Sequence, residues 1–194
     1  MFNNLLKPAW EHKNPERRIA AIETFSETDT EKQVIAAQIV ENDESNDVRA
    51  AAAALLLDLK LLNNLSEKHA FEAAKTRRNA LVRSKEDTHQ LAIAEYLEKE
   101  GDKSTALLID ISNHCPDLQS RSKSLSLLTG EQQIAEVAGN SEFADTREQA
   151  ASRVESIEEL EPLWKKVRTR DKNCLLYTSP SPRDQRGSRM PSSA

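Results

Sequence analysis

Between residues 13 and 173 the apolar positions recur at steps of three and four in short runs. Each run is broken by residues with cap or turn chemistry, a pattern that predicts a succession of short amphipathic helices. Asn14 before Pro15 and Glu16 reads as an N-cap with proline at the first helical position, and Ile19, Ile22 and Phe25 make the apolar face of the helix it opens. Thr28 with Glu31 makes a capping box before Val34, Ile35, Ala37, Ile39 and Val40. Ser45 opens a third helix through Val48 and the run Ala50 to Leu57, and Ser66 opens a fourth through Phe71, Ala74 and Leu81. Asp87 precedes Leu91, Ile93, Ala94, Tyr96 and Leu97, with Gly101 placed to end that helix. Further segments run over about 104–114, 117–128, 131–137, 145–154 and 157–168. None shows the alternation of a strand, so the expected fold class is all-α.

Inside this succession a unit recurs: arginine, a small residue three places on, an apolar one next to it and another three further. Arg18, Ala21, Ile22 and Phe25 fit it, as do Arg49, Ala52, Ala53 and Leu56. So do Arg121, Ser124, Leu125 and Leu128, and Arg147, Ala150, Ala151 and Val154, while Arg77, Ala80 and Leu81 form an incomplete copy. Steps of 31, 28 and 26 residues separate neighbouring copies, the range of stacked helical repeats. Small residues three and four places after the arginine share a face and let a neighbouring helix approach closely. Such units are expected to stack as a right-handed α-solenoid of antiparallel helix pairs with one continuous core.

Composition agrees with helices and removes alternatives. The 194 residues include only 4 Gly, 2 Cys and 4% aromatics, which excludes a disulfide framework and disfavours a sandwich or barrel. The net charge of −5 disfavours a broad phosphate-binding surface. The opening MFNNLLKPAWEHKNP has no apolar stretch of signal-peptide length, and the longest apolar run, Ala50 to Leu57, is too short to span a bilayer. A cytoplasmic protein is the expectation.

Composition shifts near Asn173. Residues 174–194, CLLYTSPSPRDQRGSRMPSSA, lack apolar periodicity and are expected to be disordered. The string CLLYTSPSPRD resembles the translation of a transposon adapter used in tagmentation sequencing libraries, and SRMPSSA resembles the flow-cell end that follows a short index. This tail is therefore set aside from fold and function. Without its three arginines and one aspartate, residues 1–173 hold 24 basic and 31 acidic side chains, a net charge of −7, and Cys115 as the one cysteine. Because Lys172 and Asn173 look like neither cap nor terminus, the native protein is expected to continue beyond a helical-repeat region of 1–173.

Asn46-Asp47-Val48-Arg49 followed by alanines, and Asn14-Pro15-Glu16-Arg17-Arg18 followed by Ile19, Ala20 and Ala21, resemble the second helix of HEAT-like repeats. In such families an aspartate–arginine ladder often joins repeats. The resemblance implies Asp47 with Arg49 and Asp145 with Arg147 as ladder positions, and leaves the ladder in doubt at the first copy and at Arg121. The opening MFNNLLKPAWEHKNPERRIAAIETF, together with TREQAASRVESIEELEPLWKKVRTRDKN, is similar to the N-terminal region of the bacterial proteins named for the domain of unknown function 349. There a HEAT-like region precedes long charged helices, and no catalytic activity is implied.

Candidate chemistry is sparse. His12, His69, His89 and His114 show no metal-ligand spacing, and His114 beside Cys115 faces a different side of a helix. Cys115 lacks a neighbouring base in sequence, and Pro116 marks a helix end, so a structural thiol outweighs a nucleophile. The acids Glu158, Glu159 and Glu161 read as a solvated face, and Gly101, Gly130 and Gly139 are isolated, so no phosphate loop exists. Trp10 and Trp164 read as packed caps over repeat edges. Two basic groups carry an alternative: Lys165, Lys166, Arg168 and Arg170 after Trp164, and Lys75, Arg77, Arg78, Arg83 and Lys85, either of which could contact nucleic-acid phosphates. The expectation is a non-catalytic scaffold without cofactor or metal, holding a protein partner or its own missing C-terminal region; a nucleic-acid or ribosome-associated protein is the alternative.

Overall fold

In a computed structural model the described residues are 7–69, 71–99, 103–156 and 158, and among them there are ten α-helices and no strand. A 3-10 turn, Ala9–Glu11, leads into α1 (Pro15–Ile22), α2 (Thr30–Asn42), α3 (Asn46–Ala53), α4 (Leu59–Lys68), α5 (Glu72–Arg83) and α6 (Asp87–Glu98). Then come α7 (Thr105–His114), α8 (Leu118–Leu127), α9 (Glu131–Asn140) and α10 (Ala144–Ala151). No helix among these residues is long and apolar enough to cross a membrane.

Local chemistry explains the helix starts. Asn14 accepts from the Glu16 N–H at 2.8 Å with Pro15 at the first helical position, as the sequence predicts. The cap of α2 is Asp29, which accepts from Glu31 and Lys32, whereas Thr28 lies one residue outside and pairs with Ser26. The predicted fourth helix is two helices. Asp58 caps α4 through the Leu61 N–H at 3.0 Å, Ser66 lies within α4 and donates to the Asn63 carbonyl, and Phe71 stands at the N-cap of α5. The third helix likewise stops at Ala53, after which Leu56 turns fully inward. The predicted segment 157–168 and the tail 174–194 lie outside the described residues, apart from Glu158 in the former.

The chain divides into two compact units over the described residues. One contains residues up to 107 together with 115–120; the other contains 108–114 together with residues from 121 on. In the first unit consecutive helices pair (α2 with α3, α4 with α5, α5 with α6), and alternate helices also touch: α1 with α3, α3 with α5, α4 with α6. Its core holds Ile22, Val40, Val48, Leu56, Leu62, Leu81 and Ile93, all buried. In the second unit α9 packs on α10, around Ile111, Leu125, Val137 and Ala150. There the small residues do what their spacing suggests: Ser124 is fully buried, its hydroxyl lying 2.7 Å from that of Ser112, while Ser141 donates to the Ser112 carbonyl.

Candidate functional site

The four repeat arginines tie turns together. Arg18 donates to the His12 and Lys13 carbonyls just before its own helix, and to Asp43, 25 residues on, in the turn that opens α3. Arg49 donates to the Val40 carbonyl at 2.7 Å and lies 4.9 Å from the ring of Phe71, the N-cap residue of α5. Arg121 donates to Thr146 and Asp145 at 2.8 Å and stacks 3.7 Å over Phe143, all three at the start of α10. Arg147 donates to the Ser141 carbonyl at the end of α9. Three of the four thus reach the start of the next arginine-bearing helix or the turn before it: Asp43 two residues ahead of the α3 N-cap, Phe71 at the α5 N-cap, and Asp145 and Thr146 in the first turn of α10. Asp145 pairs with Arg121, and the first copy, which has no aspartate of its own, finds its acid in Asp43. Burial alone would raise the Asp145 carboxyl, but the Thr146 N–H and the Arg121 guanidinium outweigh it and hold the group below its ordinary value. Ala52 and Ala150 are fully buried, and Ala21 is half-buried, as close helix approach requires.

A second cluster, which the sequence reading passed over, gathers four segments of the first unit. His89 Nε2 lies 3.0 Å from Glu27 Oε2, and His89 Nδ1 lies 2.7 Å from the Ser84 hydroxyl. Arg77 approaches the same Glu27 oxygen at 3.0 Å and donates to the Leu56 carbonyl. A histidine that donates from Nε2 to Glu27 accepts the Ser84 hydroxyl at Nδ1, and the Ser84 oxygen accepts the Glu86 N–H at 3.1 Å, so both ring nitrogens and the hydroxyl are satisfied. A hydroxyl–imidazole–carboxylate line has the order of a nucleophile relay. Here, however, the serine closes the turn into α6, the carboxylate is shared with an arginine, and His89 is 7% exposed. The chemistry it supports is the fixing of the α1–α2 turn against α5 and α6. Burial would raise Glu27, but hydrogen bonds from His89 and Arg77 outweigh it and hold this carboxyl below its usual value.

Glu27 also borders a groove of about 870 Å³ on the first unit, between the start of α2, the start of α4 and the exposed side of α6. Val34 and Leu91, 55% and 62% exposed, give it an aliphatic surface together with Leu57 and Ala92. Lys60, Lys99 and Lys103 stand around it. Val34, read from sequence as part of a helix's apolar face, therefore faces outward rather than into the core. Tyr96 lines the groove but is 9% exposed, and its phenol oxygen accepts the Ser104 N–H.

The basic cluster of α5 is partly turned inward: besides Arg77, Arg78 donates to Asn63 and Ser66, and Lys75 pairs with Glu72. Lys165, Lys166, Arg168 and Arg170 lie outside the described residues, as does Trp164. Trp10 packs edge-on against Phe25 with the Lys32 ammonium 4.4 Å from its ring. Cys115 is buried and lies 3.4 Å from Gln90 Oε1; His114 sits between Asp110 and Glu142. Among the described residues no group of three or more His, Cys, Asp or Glu side chains is placed to hold a metal ion. Compared with known proteins, the chain matches no family model, no curated protein and no solved structure.

Proposed function

We propose that residues 1–173 are a HEAT-like α-solenoid region, similar to the N-terminal part of the bacterial domain-of-unknown-function 349 proteins, and that it works as a non-catalytic scaffold for a protein partner. The arginine pattern carries this reading: Arg18, Arg49 and Arg121 each contact a residue at or just before the start of the next arginine-bearing helix, as expected where a linear repeat array couples neighbours. The alternation of contacts in the first unit, α1 to α3 to α5 and α4 to α6, supports it. Scaffolds of this kind present side chains on a long helical surface, and the groove with Val34 and Leu91 is an aliphatic opening of the first unit.

The nucleic-acid alternative has less support. Arg77 and Arg78 are engaged in bonds to other segments, Lys75 pairs with Glu72, Arg83 donates to the Asn79 carbonyl, and the chain is acidic. The test is retention on immobilised single-stranded RNA and on heparin. The scaffold reading predicts flow-through at physiological salt, together with a protein retained by the immobilised chain at salt that strips nucleic-acid binders. Tight RNA retention that weakens steeply as salt rises contradicts it.

A further inference from the structure

We infer that the groove between α2, α4 and α6 binds an acidic peptide segment with aliphatic anchors; this rests on the scaffold reading and names its partner class. The anchors follow from the surface: Val34 and Leu91 are both more than half exposed, although large aliphatic side chains gain most from being covered. The charge follows from which groups are already engaged. Glu27 is held by Arg77 and His89, Asp58 caps α4, and Glu95 faces Lys99 across one helical turn at 3.9 Å. On the cationic side Lys103 donates to the Lys99 carbonyl and lies 5.5 Å from the Tyr96 ring, whereas Lys60 has no ion-pair partner among the described residues. The groove therefore offers more uncommitted positive than negative charge, on a chain that is acidic as a whole. An aliphatic floor beside the unpaired Lys60 suits Leu or Ile side chains flanked by Asp or Glu. It does not suit a nucleic-acid strand, whose bases stack on exposed aromatic faces. Tyr96, the one aromatic residue lining the groove among the described residues, is itself nearly covered.

The test is selection from a random displayed peptide library on the full chain, followed by fluorescence anisotropy of an enriched peptide. Leu91→Asp and Lys60→Glu alter exposed side chains, so both variants keep the wild-type circular dichroism. The inference predicts enrichment of Asp or Glu interleaved with Leu, Ile or Met. Affinity falls by about tenfold or more in Leu91→Asp through loss of an apolar anchor. In Lys60→Glu it falls by about two- to fivefold, as for an exposed ion pair, and partly returns when one peptide Glu is changed to Lys. Basic or uncharged winners, equal affinity for wild type and Leu91→Asp, an oligothymidine that displaces the peptide, or a library without binders would each overturn it. A salt-resistant protein partner held equally by wild type and Leu91→Asp would remove the groove proposal while leaving the scaffold intact; tight, salt-sensitive RNA retention would remove the scaffold itself.

Discussion

Replacing Arg121 isolates the contact on which the repeat reading turns. Its side chain is 3% exposed as a residue, donates to Thr146 Oγ1 and Asp145 Oδ2, and lies over Phe143. The bond to the buried Thr146 hydroxyl is worth about 1 kcal/mol, and Thr146 retains Asp145 as a partner, so its loss leaves no orphan. Asp145 is half exposed and rehydrates, so that ion pair contributes below about 1 kcal/mol. The cation–ring contact, largely desolvated, adds about 1–2 kcal/mol. Arg121→Ala is therefore expected to destabilise the start of α10 by about 3 kcal/mol, or roughly a hundredfold faster hydrogen exchange at amides within Ala144–Ala151. Arg121→Lys keeps the charge but loses the flat stack and the fork, and should cost about half as much. Asp145→Asn should cost less than about 1 kcal/mol. The reasoning fails if the lysine variant exchanges like wild type, or if Asp145→Asn matches Arg121→Ala, because the exposed charge and not the buried stack would then be holding the turn.

Three further outcomes follow. Glu27 titrates below its ordinary value in the fold, so its contribution is complete above the unfolded value and is lost as pH falls through the folded one; Glu27→Gln should flatten the acid limb of a stability–pH curve below about pH 4.5. Gln33 clamps the α3–α4 turn, donating to the Leu55 carbonyl and accepting from the Leu57 N–H, and Gln33→Ala should cost about 1–3 kcal/mol in urea denaturation, with Gln33→Glu no better because it sets a carboxylate against a carbonyl. Leu81→Ala, at a fully buried site, should cost about 2–5 kcal/mol, whereas Leu91→Ala should stay within about 0.5 kcal/mol; comparable losses in the two would contradict the placement of Leu91 on the surface.

What the sequence made legible was whatever local chemistry decides. Asn14-Pro15 marks the start of α1 because cap and proline act within one turn. The small residues after each arginine revealed a packing face, since i+3 and i+4 share a side of any helix. The break between α3 and α4 was hidden within an unbroken apolar run, because the group that satisfies the Leu57 N–H is Gln33, 24 residues earlier. Ser66 looked like a cap and is a helix-interior residue bonded back to Asn63, a competition that serine chemistry allows in either place. The destinations of the arginines were out of reach for the same reason: Arg121 ignores Asp145's neighbour Arg147 and crosses 24 residues to reach Asp145 itself. His89 gave no signal at all, since its partner Glu27 is 62 residues away. The groove was not readable either, because Val34 and Leu91 count as core residues in any periodicity argument until packing places them outside.

A linear array requires that each repeat couple mainly to its immediate neighbours. Ile22→Ala opens a cavity at the fully buried residue of α1, a perturbation of about 2–5 kcal/mol, and amide hydrogen exchange read along the first unit tests this directly. A repeat array predicts a graded response, with protection lost most in α1 and α3, less in α5 and least in α6. Equal loss of protection from α1 through α6 would contradict it and mark the unit as a single cooperative globule.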